Sequence, residues 1–331
     1  ADALPLADWP RTSGLCWLAP AELAIARDDV RNINVPGLHF SDLLASVDAV
    51  LSKPGYGTFV EAACGGIPIL YLERDDWPES APFAAWLADR GLPTLTYDYR
   101  GIGRSRPARL RGCEATVEMW GSKDCAAMLD AMTARFPSAR LAVLGHSIGG
   151  FVTGLAPGGE RVDRLALVGT HTGYWRDYAP RVRLPMYVAW HLAMPAVTRV
   201  LGYFPGRRFG LPEDLPAGVA RDWARRRRPD PWWYLKRDDG SPNEARIAEV
   251  VGRLDAFRAD ALVVSVADDP FATAEATARM AALFRHCRID ERHVDPRGLG
   301  LPAVGHFGFF RSRMREALWP IVGDFLAADR L

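Results

Sequence analysis

The sequence predicts an α/β fold: a mostly parallel sheet flanked by helices, with one helical insertion. Three observations carry this expectation. The 331 residues are 49% hydrophobic and 24% charged, enough apolar material for one large or two smaller cores and too much for a disordered chain. Short β-branched runs alternate with helical patterns along most of the length. The alternation breaks once, between about His171 and Asp255, where Trp175, Trp190, Trp223, Trp232, Trp233 and the run Arg225–Arg228 crowd among prolines.

In chain order, apolar and β-branched runs predict buried strands at Val30–Asn34, Ala49–Leu51, Pro68–Leu72, Pro93–Asp98, Leu141–Gly145, Arg164–Val168, Ala261–Val266 and Arg288–Val294. Between them, helical periodicity predicts helices around Ser41–Val47, Gly57–Cys64, Ala81–Arg90, Cys113–Arg135, Ile148–Leu155, Ala272–Phe284 and Arg311–Ala327, the last kinked at Pro320. The strand pattern continues past Ser80 without a flexible linker, so a single continuous sheet is expected. The insertion is read as a lid over a pocket, and its four consecutive arginines as a solvated helix face rather than an anion-binding patch.

Composition removes several function classes. With 41 Lys+Arg against 40 Asp+Glu the net charge is +1, so nothing recommends a nucleic acid or an anionic membrane as partner. Cys16, Cys64, Cys113, Cys125 and Cys287 are odd in number and never in C-x-x-C spacing, which predicts reduced thiols and no metal cluster. The sequence begins at Ala1 with no basic-plus-apolar leader, the pattern expected of a processed or truncated cytoplasmic chain. Its most apolar stretch, Leu184 to Phe204, is interrupted by His191, Pro195 and Arg199, so it is expected to lie at a surface rather than span a bilayer.

The chemistry-bearing motif is Gly145-His146-Ser147-Ile148-Gly149-Gly150, entered from the apolar run Leu141–Leu144 and left by helix-forming residues. A sharp strand-to-helix turn needs small residues two before and two after the serine, and it presents Ser147 at the carboxyl edge of the sheet. There the backbone N–H of Ile148 is placed to stabilise negative charge developing on a carbonyl oxygen. Serine needs a base, and the base needs a carboxylate to orient it. The strand Ala261–Val266 ends in Ala267-Asp268-Asp269-Pro270-Phe271, and the next strand leads through a Gly/Pro loop to Val304-Gly305-His306-Phe307-Gly308. Elimination favours His306. His146 lies inside the turn facing away from the hydroxyl, His171 and His191 belong to the insertion, His39 is far upstream, and His286 and His293 precede or lie within the last strand. Asp269 is preferred to its neighbour Asp268 as the carboxylate.

From about Ala81 to the end, with the order Ser147, Asp269, His306, the chain resembles an α/β-hydrolase. Tyr97-Asp98-Tyr99-Arg100-Gly101-Ile102-Gly103-Arg104-Ser105 resembles a loop of the same fold, read as a turn held by Asp98 and Arg100 with glycines at positive φ and given no catalytic part. Gly202–Arg208 and Gly305–Arg311 resemble a bacterial group of predicted hydrolases. The family resemblance implies a second oxyanion donor in the loop Glu73-Arg74-Asp75-Asp76-Trp77-Pro78, from the amide of Glu73. Acidic side chains there imply weak turnover. Before about Ser80, the segment Ser41–Ala62 resembles the donor half of a Rossmann-type glycosyltransferase, which implies nucleotide-sugar contacts at Gly55, Gly57, Thr58 and Glu61 or, alternatively, a purely structural extension.

The expectation is therefore a composite chain. Residues 1–80 are the glycosyltransferase-like part, and residues 81–331 form a hydrolase domain whose lid insertion spans about 171–255. Its function is expected to be that of a serine hydrolase acting on a carboxylic ester or related acyl compound, with an apolar small-molecule substrate and no organic cofactor or metal. A remnant nucleotide-sugar-binding fragment and a silent α/β scaffold are the alternatives. The sequence is silent on oligomeric state.

Overall fold

A computed structural model describes residues 16–20, 26–33, 50–52, 69–71, 81–211, 213–232, 235, 239–301 and 303–328. Near the N-terminus, β1 (Trp17–Pro20) pairs in parallel with β2 (Val30–Ile33), and β3 (Val50–Ser52) with β4 (Ile69–Tyr71). The β1 strand was not expected from the sequence. Among the described residues no ladder joins these pairs to the main sheet, so the single continuous sheet expected from the strand pattern is not what the described ladders form. The helices expected at Ser41–Val47 and Gly57–Cys64, together with Cys64 and Trp233, lie outside the described residues.

The rest of the chain begins with α1 (Ala81–Ala88). Residues 92–99, expected to contain a strand, join no ladder. Pro93 has no N–H to give one, and aromatic packing holds the segment instead: Tyr97 meets Tyr99 edge-on at 5.2 Å, and Tyr99 stacks on Trp120 at 4.6 Å. The long helix expected from Cys113 starts later, at α2 (Val117–Met119), where the Thr116 side chain accepts the Met119 amide. It passes through a π turn, Trp120–Cys125, into α3 (Ala126–Arg135). The π turn brings Gly121 against α4 (Ile148–Gly154), where a Cβ would lie 2.4 Å from Leu155. It also directs buried Asp124 at the Arg100 amide and guanidinium. The loop that follows is the turn expected from its composition: Asp98 accepts the Arg104 amide, and Gly101 and Gly103 have φ of +83° and +50°.

The main sheet consists of β5 (Leu141–His146), β6 (Val162–Val168), β9 (Asp260–Val266) and β10 (Arg288–Val294), all parallel, in the order β10-β9-β6-β5. Alternation sends Leu165, Leu167, Ala261 and Val263 to one face and Ala166, Val168, Leu262 and Val264 to the other. Both sets are buried because helices cover both faces. The first face packs against α3, α4, α8 (Glu244–Asp255) and α9 (Ala274–Ala281), the second against α1 and α10 (Arg315–Ala327). The α10 helix continues through Pro320. The β10 strand is not buried as expected. It is an edge whose Arg288, Asp290, Glu291 and Arg292 face water, which keeps other strands from adding to it.

The insertion contains α5 (Pro180–Val188), a π turn Ala189–Ala193, α6 (Met194–Leu201), the short antiparallel pair β7 (Tyr203–Phe204) and β8 (Leu215–Pro216), and α7 (Ala217–Ala224). The expected extent of the insertion is too long. Helix α8, inside the range 171–255, buries Val250 and Leu254 in the main core, where a Cβ on Gly154 would lie 2.4 Å from Leu254. The arginine run is not one solvated face either. Arg225, Arg227 and Arg228 are exposed, but Arg226 is buried, donates to the Thr172 carbonyl at 2.9 Å and lies 3.9 Å above the Phe151 ring. Among the described residues Cys16, Cys113, Cys125 and Cys287 are free thiols, and no helix is long and apolar enough to cross a membrane.

Candidate active site

Ser147 is the first residue after β5 and the residue before α4. Its backbone, at φ 52° and ψ −121°, is the one non-glycine at positive φ among the described residues. An L-residue held there is strained, and packing on both sides holds it. A Cβ on Gly145 would sit 2.6 Å from the Gly150 nitrogen, and one on Gly150 would sit 2.5 Å from Thr170 Cγ2. The close approach thus uses Gly145 and Gly150. At Gly149, the position expected from the motif, a Cβ would meet only the Tyr99 hydroxyl at 3.6 Å, an ordinary contact. The Ser147 amide donates to the Val168 carbonyl at 3.1 Å, which ties the turn to β6.

Ser147, Asp269 and His306 meet at the carboxyl rim of the sheet. His306 Nε2 lies 2.8 Å from Ser147 Oγ, and His306 Nδ1 lies 2.8 Å from Asp269 Oδ2. The carboxylate accepts the Nδ1–H, which leaves Nε2 as the acceptor for the serine hydroxyl proton. Asp269 is 3% exposed and His306 is 8% exposed, so the pair is largely screened from water. Burial pushes the Asp269 carboxyl up, but the His306 hydrogen bond and charge and the amides of Ala272 and Phe271 outweigh it and hold the group below its ordinary value. Asp268, the alternative carboxylate, turns the other way and accepts the amides of Val304 and Gly305, each at 2.8 Å. It anchors the loop that carries His306.

Two further histidines complete the setting. Burial, then the nearby His306, lowers the pKa of His146 to about 4, so its ring is neutral and its Nε2–H donates to the His306 carbonyl at 2.8 Å. His171, placed by the sequence in the insertion, instead lies with its ring centre 5.7 Å from that of His306. Burial, then His306, lowers its pKa to about 3. Its Nδ1 accepts the Gly173 amide at 3.1 Å, so the ring proton is on Nε2. His171 also contacts Tyr178 and Trp223 edge-on, and Phe271 packs edge-on against His306 at 5.3 Å. The sequence held one signal for His171: it stands three residues past the end of β6, on the same rim as Ser147 and Asp269.

These neutral rings make stability depend on pH. Their folded-state pKa values lie below the ordinary 6.5, so the unfolded chain binds more protons as pH falls. The stabilisation is complete above about pH 6.5 and is lost toward pH 4, at about 1.4 kcal/mol per pH unit for each ring. Urea unfolding at pH 7 and pH 5 is expected to show a loss of about 2 kcal/mol per imidazole, and equal midpoints would refute the assignment of buried neutral rings.

The Ile148 amide, first in α4, has no intrahelical acceptor and lies beside the serine. Glu73, the other expected oxyanion donor, lies outside the described residues, as do Gly55, Gly57, Thr58 and Glu61. Among the described residues no group of three or more His, Cys, Asp or Glu side chains converges as metal ligands.

No curated protein matches this chain. Solved structures that it resembles include Rv0554 of Mycobacterium tuberculosis, at 18% identity with 85% of this chain and 89% of that chain covered and a TM-score of 0.41. Others are a Paleococcus ferrophilus monoacylglycerol lipase (12% identity, 76% and 90% covered, TM-score 0.45) and an esterase from Exiguobacterium antarcticum (15%, 76% and 89%, TM-score 0.41). The main sheet is parallel and flanked by helices with a serine on the strand-to-helix turn, and residues 79–228, a little under half of the chain and including that turn, match the family described as serine aminopeptidase, S33.

Proposed function

We propose that the protein is a serine hydrolase that cleaves a carboxylic ester or a related acyl compound. The observation that carries this reading is the pair of 2.8 Å contacts running from Ser147 Oγ through the His306 ring to Asp269. Ser147 Oγ attacks the acyl carbon while His306 Nε2 takes its proton. Asp269 holds the ring in the productive tautomer and balances the imidazolium. The oxyanion faces the Ile148 amide. Collapse expels the alcohol, which takes the proton from His306, and water then repeats the sequence on the acyl-serine to release the acid.

Surroundings favour an uncharged, apolar acyl substrate. The insertion, read as a cover, packs Trp223 and Tyr178 on His171, and Phe271 stands against His306. Treatment with a fluorophosphonate probe, read by intact mass, is expected to give one covalent adduct on the parent chain and none on Ser147→Ala. An adduct that persists on Ser147→Ala refutes the proposal.

A further inference from the structure

We propose that the outer face of the α5–α6 helical run docks on an anionic lipid bilayer. This goes beyond the hydrolase reading and does not depend on it. Leu184, Val188, Leu192 and Val200 are 67%, 45%, 53% and 75% exposed, with exposed Ala196 completing a series spaced by four. In a pure α-helix such a series drifts around the axis by about 40° per step. The π turn at Ala189–Ala193, wider than an α turn, brings the drift back and keeps the series on one side. Single exposed apolar residues are ordinary, but a stripe of this length on one helical run is a contiguous patch that water does not favour.

The opposite face of the same run is already occupied. Met194 is fully buried with Phe204 and Ala220, Trp190 meets Trp223 edge-on at 6.1 Å, and His191 bonds the Ala224 carbonyl at 2.8 Å. The run is therefore apolar on two sides, and one side has no neighbour in this chain among the described residues. Charge identifies the occupant. Residues 178–212 contain five arginines and no acidic residue, and residues 171–228 contain eleven arginines and no lysine against four acids, a net +7 in a chain whose total is +1. Arg181 and Arg199 are exposed at the two ends of the stripe. A cleft lined by Pro195, Ala224, Arg221, Arg225 and Arg227 opens beside α6. Apolar side chains flanked by guanidinium groups match an interfacial helix, which sinks its apolar side among acyl chains and leaves arginines at the level of anionic headgroups. A second copy would set two positive faces against each other. The near-neutral total of the sequence conceals this local excess.

Flotation with phosphatidylcholine vesicles containing about 30% phosphatidylserine is the test. The full chain is expected to float with these vesicles, less with pure phosphatidylcholine, and less again in about 0.5 M NaCl. The double substitution Leu184→Asp with Leu192→Asp is expected to weaken partitioning about tenfold or more. Ile289→Ser, at an exposed apolar position on β10, is expected to change nothing, and both variants should melt with the parent because the replaced side chains are exposed. Ser147→Ala is expected to float like the parent, so a failed labelling experiment leaves this one readable. Equal flotation of the Asp double variant and the parent, or no flotation at low salt, overturns the proposal. So does light scattering that shows a dimer abolished by the double variant, which would assign the face to a second copy.

Discussion

Asp269→Asn is expected to lower turnover of a p-nitrophenyl acyl ester by about 10⁴ while leaving the melting temperature and KM close to the parent values. The reason is the direction of one proton. In the parent, Asp269 Oδ2 accepts His306 Nδ1–H at 2.8 Å, so Nε2 is free to take the Ser147 proton. An asparagine that keeps its oxygen on the Phe271 and Ala272 amides, as Oδ1 does at 2.8 and 2.9 Å, turns its NH₂ toward Nδ1. The ring then carries its proton on Nε2 and presents a donor to the serine. Asp268→Asn has a different signature. It keeps one acceptor where the Val304 and Gly305 amides have two, so it is expected to cost about 1–3 kcal/mol of stability and to affect turnover only through the position of the His306 loop. If Asp268→Asn abolishes turnover with unchanged stability and Asp269→Asn leaves turnover intact, the two roles are reversed.

Gly150→Ala is expected to be destructive and Gly149→Ala mild, although Gly149 is the glycine of the G-x-S-x-G pattern. A Cβ on Gly150 would lie 2.5 Å from Thr170 Cγ2 and 2.9 Å from Leu167 Cδ2, both on fully buried residues that have no room to give. Helix α4 must then lift from β6, at about 1–3 kcal/mol for overpacking. Lifting α4 also carries the Ile148 amide and Ser147 off their positions, and a displacement of about 1 Å at a reacting atom costs about 100-fold in rate. At Gly149 the added carbon meets only the Tyr99 hydroxyl at 3.6 Å, and alanine is the better helix former by about 1 kcal/mol. Thermal melts and ester turnover of the two variants separate the cases, and equal behaviour would show that the close packing at Gly150 is not what holds the turn.

Local chemistry was legible where it followed from short-range rules. The strand-turn-helix composition around Ser147 requires a strained turn; Ser147 and Asp269 stand just past strand ends and His306 on the loop after the last strand, so all three could be assigned to one rim from their order along the chain. The Asp98–Ser105 loop was legible for the same reason, since glycines and short carboxylates announce a turn. Neighbouring elements decided the rest. Asp268 and Asp269 are adjacent and chemically identical, and only the packed ends of β9 and the His306 loop determine that one bonds an imidazole and the other two amides. His146 and His171 read as bystanders, yet both pack within 6 Å of the His306 ring centre. Arg226 reads as one of four surface arginines, and Phe151, distant in sequence, draws it inside.

The sequence alone therefore determined the alternation of strand and helix, the strained serine turn and the order of the three polar groups along the chain. These depend on backbone geometry and on hydrophobic periods of two and 3.6 residues, both carried by near neighbours. Only the tertiary structure decided which glycine bears the close contact, which carboxylate turns inward, where the insertion ends and which side of its helical run is left bare. Each of those depends on what lies opposite in space, and residues far apart in the chain supply it.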